Sequence, residues 1–267
     1  GRIISITNPR GIVEVTNQYD ASGRVIQQTH ADGGVFNIAY NVVGGTVTQT
    51  AVTEPNGGTT TYRLNGAGYS TETTDAYGQK TTYDRAFSTN DLNSVTDPLG
   101  RTTAYEYDSN GNATTTTDPA GNVITYEYAP VFNRPTKITD ALGNVTTMTF
   151  DGNGNLVQML TPKSELTTIT YNTNGQPLSI TDALGNISTF EYDEFGNLTK
   201  STDPLGNSAQ REYDFIGRLI SATDPKGKIV LYSYDEMNRV LDITDALNGN
   251  THFTYDANGN RLAMRDA

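Results

Sequence analysis

Residues 192–214 read YDEFGNLTKSTDPLGNSAQREYD and contain two turn signals separated by short runs that favour extended chain. The signals are residues 193–197 and 203–207. Each combines an aspartate that can bond the backbone two residues on with a glycine free to adopt positive φ, as a type I turn closed by a glycine bulge requires. Residues 198–202 and 208–213 have strand length and near strand composition. The stretch predicts one β-hairpin plus the turn to the next.

The same unit recurs along the chain. The residue before the first turn returns every 21 or 22 positions, apart from one interval of 24 between Tyr83 and Tyr107. These anchor residues are Tyr19, Tyr40, Tyr62, Tyr83, Tyr107, Tyr128, Phe150, Tyr171, Tyr192, Tyr213, Tyr234 and Tyr255. The aspartate of the second turn recurs in step, at Asp75, Asp97, Asp118, Asp140, Asp182, Asp203, Asp224, Asp245 and Asp266. Two independent markers with one period predict a repeat array.

Alternation assigns the faces of the predicted strands. Aromatic and aliphatic residues stand two positions before the anchors, on the same face, at Ile38, Tyr105, Tyr126, Met148, Ile169, Phe190, Tyr232 and Phe253. The residues between them are predicted to lie on the solvent-exposed face, at Glu106, Glu127, Glu191, Glu212 and Ser233. A ladder of rings and aliphatic side chains should therefore pass from strand to strand and form the core. One repeat cannot bury enough surface alone, so its stability should come from its neighbours.

The domain prediction is a single continuous array over residues 1–267, irregular over 1–70 and regular over 71–267. Three interruptions, at residues 84–93, 129–134 and 161–165, predict bulges or longer loops. The chain starts at Gly1 and stops in a further turn signal at Asp266, which favours an excerpt of a longer protein.

Composition excludes several classes of protein. There is no cysteine, so neither a disulfide framework nor a thiolate metal site is available. A net charge of −12 argues against nucleic acid as a partner. The mean hydropathy is −0.51, and no run approaches the roughly 18 apolar residues of a membrane helix, so no membrane span is predicted.

The abundant aspartates raise a second interpretation, calcium binding. Residues 108–112, 151–155 and 256–260 resemble the start of a calcium loop. The twelfth position, where an EF-hand needs a bidentate glutamate, is Pro119, Pro162 or Ala267. Turn chemistry explains the same residues and is preferred, and calcium is kept as the alternative. We predict no metal and no cofactor.

Catalytic patterns are weak. His30 and His252 lie in different repeats with no patterned serine or carboxylate beside them, so we expect ordinary strand residues and no enzyme. Glycosylation sequons occur at Asn112, Asn144, Asn186 and Asn197, where the repeat motif itself contains the sequon pattern. Tyrosines stacking on sugars are a further alternative, although their regular register favours packing.

The motif YDxxGN followed by TDPxGN at this period resembles the YD repeat of the Rhs family, from about Tyr19 to the end of the chain. That family includes bacterial Rhs polymorphic toxins, B and C components of insecticidal toxin complexes, wall-associated repeat proteins and the teneurins. The resemblance implies an all-β array of antiparallel hairpins, about 21 residues each, in a long sheet that spirals into a hollow shell. In the toxins, the shell encloses a C-terminal toxin released by aspartyl self-cleavage. No closing segment or toxin domain is recognisable here, and DPLG at Asp97 and Asp203 reads as the repeat turn.

Three functions follow as expectations. The first is the structural wall of a secreted or cell-surface bacterial protein, namely the encapsulating shell of an Rhs-type toxin. Its partners would be the rest of its own longer chain and an enclosed toxin domain. The second is an extracellular filament or adhesin stalk that self-associates through open strand edges. The third is a glycan-binding surface module.

Overall fold

The computed structural model of the chain describes residues 1–8, 11–256 and 259–266. Those residues form β-strands and turns only, and hence no helix long and apolar enough to cross a membrane. Neighbouring strands pair antiparallel, which confirms the all-β hairpin repeat array. The chain divides into two compact units, residues 1–127 with 139–143 and residues 128–138 with 144–267. The single continuous array over residues 1–267 stays a prediction.

The first unit is a meander in which each strand pairs with the next along the chain. Its strands are β1 (Ser5–Thr7), β2 (Val13–Tyr19), β3 (Val25–His30), β4 (Val35–Val43), β5 (Thr46–Thr53), β6 (Thr59–Leu64), β7 (Ser70–Thr74), β8 (Lys80–Arg85), β9 (Leu92–Thr96), β10 (Thr102–Tyr107), β11 (Ala113–Thr117) and β12 (Val123–Tyr128). The strand β13 (Pro135–Thr139) falls at the division between the units.

The second unit repeats the same plan with less variation. Its strands are β14 (Val145–Phe150), β15 (Leu156–Leu160), β16 (Leu166–Tyr171), β17 (Pro177–Thr181), β18 (Ile187–Tyr192), β19 (Leu198–Thr202), β20 (Ser208–Tyr213), β21 (Leu219–Thr223), β22 (Ile229–Tyr234), β23 (Val240–Thr244), β24 (Asn250–Tyr255) and β25 (Arg261–Arg265). A six-residue strand ending in the anchor alternates with a five-residue strand.

Both turn types have the geometry that the sequence predicts. In the second turn, Asp203 N–H donates to the Asn207 carbonyl at 2.9 Å and Gly206 N–H donates to the Asp203 carbonyl at 3.0 Å. Gly206 has a φ of 84°, in the left-handed region that disfavours residues with a Cβ. At the first turn the register shifts, so that the anchor Tyr192 faces Leu198 across a β-bulge.

Two of the three interruptions are longer loops, as expected. Ala86 N–H donates to the Asp91 carbonyl at 2.9 Å, and Ala129 N–H donates to the Arg134 carbonyl at 2.8 Å. Each closing bond spans one residue more than that of a regular turn. The extra residue is accommodated by positive φ at non-glycine positions, including 70° at Phe132.

The third interruption differs from the prediction, because residues 161–165 form a turn of ordinary length. Thr161 N–H donates to the Glu165 carbonyl at 3.0 Å, as the aspartate does elsewhere. Ser164 adopts a φ of 63° and takes the place of the glycine. The residues of the motif are replaced here, but the backbone conformation of the turn is retained.

The predicted core is present as a ladder but is not buried. Tyr105 and Tyr107 are half-buried while Glu106 between them is exposed, as alternation predicts. Yet no hydrophobic side chain is buried among the residues that the structure describes. The ladder lies on one face of a sheet against which no described element of the same unit packs, so its rings contact only their neighbours along that face.

Candidate structural site: contacts between successive repeats

Most of the turns are held by an aspartate. The Oδ1 atom of Asp193 accepts the backbone N–H groups of Phe195 at 3.0 Å and Asn197 at 2.8 Å, and its Oδ2 atom accepts the Asn197 side-chain amide at 2.9 Å. The same pair of bonds from the backbone and side chain of the residue four positions on, Asn or Arg, recurs at Asp20, Asp97, Asp108, Asp118, Asp151, Asp182, Asp203, Asp214 and Asp235. The spacing of Asp and Asn in the motif therefore follows from one hydrogen-bonded ring.

These bonds stabilise the ionised carboxylates. The side-chain amide of Asn207 lowers the pKa of Asp203 below its ordinary value of 3.8, and that of Asn112 lowers the pKa of Asp108. Because both carboxylate oxygens accept hydrogen bonds within the turn, the turn accounts for the aspartates of residues 108–112 and 151–155 without an ion. Within the described residues, no three acidic or histidine side chains converge on a possible cation. The stretch 256–260 includes two residues outside the described ones.

Anchor tyrosines in several repeats tie their repeat to the one before it. The Tyr234 hydroxyl donates to the Leu219 carbonyl at 2.7 Å. Leu219 is the residue that faces the preceding anchor, Tyr213, across its β-bulge. The bond supplies a donor at a point where the ladder of backbone hydrogen bonds is interrupted. The same bond to a carbonyl 15 residues earlier is made by Tyr40, Tyr107, Tyr171, Tyr213 and Tyr255.

A second contact joins the same two repeats. The residue that closes the first turn lies 16 positions before the next anchor, and where it is arginine its guanidinium covers the anchor ring. The guanidinium carbon of Arg218 lies 4.8 Å from the ring centre of Tyr234, and that of Arg239 lies 4.6 Å from the ring centre of Tyr255. Cation–π contacts at this distance contribute about 0.5–1 kcal/mol at exposed sites. Arg218 also bonds Asp214 at 2.6 Å, so one side chain holds its own turn and the next ring.

Burial affects the rings as well. Desolvation raises the pKa of Tyr40, Tyr107, Tyr192 and Tyr234 above the ordinary value of 10.0. The neutral hydroxyl is therefore the form that these contacts favour.

Most predicted anchors stand at the end of a strand, beside the first turn. This is the position of Tyr19, Tyr107, Tyr128, Phe150, Tyr171, Tyr192, Tyr213, Tyr234 and Tyr255. Tyr40 makes the anchor's hydrogen bond within the longer strand β4.

The structure places Tyr62 and Tyr83 differently. Each lies two residues before the anchor position at the β-bulge. Leu64 and Arg85 occupy those anchor positions and face Ser70 and Leu92 across the bulge. Arg85 Nε donates to the Ser70 carbonyl, 15 residues earlier, at 3.0 Å, and so replaces the tyrosine hydroxyl. The irregular interval of 24 was the available signal. Counting back from Tyr107 in steps of 22 and 21 reaches Arg85 and Leu64, and the interval of 24 then falls between Tyr40 and Leu64, beside the longer strands β4 and β5.

The sequon asparagines take part in the turns. The side-chain amides of Asn112, Asn186 and Asn197 donate to the turn aspartates four residues before them. Glycosylation at these positions and at Asn144 stays a prediction.

The histidine environments differ from the sequence interpretation, which placed no carboxylate or serine beside them. His252 Nδ1 lies 2.8 Å from Asp242 Oδ1, and the Ser233 hydroxyl donates to Asp242 Oδ2 at 2.9 Å. Asp242 is the cross-strand partner of both residues and lies between them. A nucleophile activated by a base needs a direct contact between serine and histidine, whereas here each bonds the aspartate. His30 bonds Gln28 at 2.9 Å.

The hairpins are about 21 residues long, and most are completed by an aspartate-held turn and by a side chain of the following repeat. These features define a YD-repeat β-array. The chain belongs to the Teneurin YD-shell family, whose model matches residues 79–230 and 163–265. The RHS Repeat model matches residues 1–35. The predicted family is thereby confirmed. A search of curated proteins finds no match.

One solved structure shows the same fold at low identity, and two others match with lower TM-scores. The chain is similar to the complex titled TcdB2-TccC3-TEV, at 16% identity and a TM-score of 0.51. TcdB2-TccC3 without its hypervariable C-terminal region matches at 17% identity and a TM-score of 0.47, and the Photorhabdus luminescens Tc holotoxin pore at 16% and 0.44. In each case 94% of this chain is covered, and it spans 18% of the length of the other.

Proposed function

We propose that this chain is a length of structural wall in a larger YD-shell protein and has no enzymatic activity of its own. The observation that carries the proposal is the contact between repeats. The Tyr234 ring closes the bulge of the preceding hairpin and is covered by Arg218 from that same hairpin. A contact of this kind can be repeated without limit, which suits a wall whose stability comes from nearest neighbours.

The chemistry of the side chains supports a structural role. The aspartates, which are the most numerous candidates for acid–base work, are bonded within their own turns. The cluster of Ser233, Asp242 and His252 has the aspartate in the middle. A structural wall uses such groups to hold backbone geometry.

The specific form that we propose is the encapsulating shell of a secreted or cell-surface bacterial toxin of the Rhs type. Support comes from the family and from the solved structure titled TcdB2-TccC3-TEV, which has the same fold. The partners would be the remaining shell and an enclosed polypeptide.

One observation favours a filament or adhesin stalk as the second candidate. In the second unit three turns that begin Asp-x-Leu point the leucine into solvent, and Leu184, Leu205 and Leu247 are 88, 87 and 86% exposed. Exposed apolar groups in a row are typical of surfaces that another chain covers. A glycan-binding surface is a weaker third candidate, because most of the anchor rings are engaged by neighbouring repeats.

Electron microscopy of the intact parent protein, isolated from its source, separates these functions. Closed hollow particles of limited size, containing density that is lost after proteolytic removal of the cargo, are the expected result. Long filaments with an axial repeat would overturn the shell and support the stalk.

A further inference from the structure

We propose that Arg211 binds the carboxylate of an aspartate or glutamate side chain from a polypeptide that lies against the tyrosine face of the second unit. The tyrosine face is the side of the sheet that carries the anchors and the residues two positions before them. The inference rests on the proposed wall function in one respect only, namely that the ligand carboxylate belongs to a polypeptide.

Arg211 occupies a ladder position that is apolar in the other repeats of this unit. The equivalent residues, two before the anchor, include Ile169, Phe190, Tyr232 and Phe253. Two of the side chains beside Arg211 are small, because its cross-strand partner is Ala222 and the residue two before it on the same face is Ala209. The anchor Tyr213 stands two residues after it on that face. A long cation with small side chains across the strand and before it has room for a second group on those sides.

The guanidinium is partly buried without being paired. Arg211 Nη1 is inaccessible to solvent, and no group in the described part of the chain accepts a hydrogen bond from it. Buried polar groups in proteins are nearly always hydrogen-bonded, and a charged one left unpaired is strongly unfavourable. A carboxylate paired with the accessible part of this guanidinium, which is half-buried and lines a pocket, would offset that cost.

A concave pocket leads to this side chain. It has a volume of about 510 Å³ and is lined by Arg211 together with Ala209, Ala222, Pro225, Val230 and Leu247. Such a pocket offers apolar surface to a side-chain stem and a guanidinium fork to the group at its end. The fork matches the two oxygens of a carboxylate.

The remaining charges favour a singly charged ligand. Lys228, Asp224 and Asp245 also line the pocket, so its formal charge with Arg211 is balanced. Asp224 Oδ1 accepts the backbone N–H groups of Lys226 and Lys228, both at 2.8 Å, so this oxygen is engaged by its own turn. Because two carboxylates stand nearby, a phosphate dianion would be repelled more strongly than the single carboxylate of an acidic side chain.

The test is a nuclear magnetic resonance titration of the 267-residue chain with two blocked tripeptides, Leu-Glu-Leu and Leu-Gln-Leu. We expect saturable shifts of the Arg211 Nε–H signal and of the Ala209 and Ala222 amides with the glutamate peptide. The glutamine peptide should bind at least tenfold more weakly. Equal binding of the two peptides, or no saturable shift with either, would overturn the proposal.

Two variants complete the test. Arg211→Met introduces the residue that Met148 supplies at the equivalent position, so we expect it to fold, to raise the thermal midpoint and to lose the preference for glutamate. Arg211→Lys should keep the charge and weaken binding, since it lacks the fork. An unchanged preference in Arg211→Met would contradict the assignment. The peptide comparison on the unmodified chain tests the Arg211 assignment even if neither variant folds. If the parent protein formed filaments, the proposed shell would be wrong, but the preference for the glutamate peptide would still stand.

Discussion

The guanidinium of Arg218 covers the ring of Tyr234 at 4.8 Å, and the hydroxyl of that ring donates at 2.7 Å to the carbonyl of Leu219, the residue after the arginine. Two adjacent residues of one repeat thus contact opposite parts of a single ring from the next. The repeats are therefore joined by side chains as well as by the sheet.

Replacing Tyr234 by phenylalanine should lower the free energy of unfolding by about 1 kcal/mol, because the Leu219 carbonyl loses its donor. Arg218→Asn should cost about 0.5–1 kcal/mol, because asparagine can hold the turn but cannot cover the ring. Urea unfolding of the single and double variants measures both losses and the coupling between them. Tyr77→Phe is the matched control, since Tyr77 is 89% exposed and its replacement should leave the midpoint unchanged. An equal loss in that control would contradict the role of the Tyr234 hydroxyl.

Glycine is required in the turns for its backbone conformation rather than for space. Gly206 has a φ of 84°, and nothing lies within 4 Å of where a Cβ would be. Gly206→Ala should therefore destabilise by about 1–2 kcal/mol through strain alone. Gly152→Ala is the matched control in another turn, because its surroundings are equally open and its φ is not positive. We expect it to be neutral or to stabilise by about 0.4–1 kcal/mol. Equal effects of the two substitutions in thermal unfolding would refute the argument.

Acid should weaken the array through its turns. Hydrogen bonds from Asn122, Asn186 and Asn207 hold the pKa values of Asp118, Asp182 and Asp203 below the ordinary 3.8. A folded-state pKa below the unfolded one gives stability that is present above pH 3.8 and lost as the pH falls through the folded values. Urea midpoints should be constant near neutrality and fall steadily below about pH 4. Asp203→Asn should reduce the steepness of that fall, and a midpoint indifferent to acid would contradict the turn mechanism.

Alkali should act on the rings. Burial raises the pKa of Tyr107, Tyr192 and Tyr234 above 10.0, so their contribution to stability is fully present below pH 10.0 and lost as the pH rises beyond it. Ultraviolet titration of the folded chain should show tyrosine ionisation displaced above the ordinary range and coincident with loss of β-structure by circular dichroism. Ionisation of every tyrosine near pH 10.0 with the fold retained would be the contrary result.

The repeat and its turns could be predicted because they depend on local chemistry. An aspartate four residues before an asparagine, with glycine between, determines one turn wherever it occurs. The role of Arg85 was harder to foresee, because the motif has tyrosine at this position. Arginine does not match the motif, although its side chain can donate to the equivalent carbonyl. The contact of Ser233 and His252 with Asp242 depends on cross-strand register, which the motif does not state. The sequence predicted correctly which residues form the ladder, but it overestimated how deeply they are buried. Alternation shows which side chains share a face of the sheet but not what covers that face.

The bond from an anchor hydroxyl to a carbonyl 15 residues earlier runs in one direction along the chain. A hairpin made on the ribosome is thus left unfinished until the following anchor has emerged, and folding should trail synthesis by most of a repeat. The array therefore folds toward its C-terminus, and each newly formed anchor contact stabilises the hairpin before it. The most recently made hairpin is always the one open to proteases.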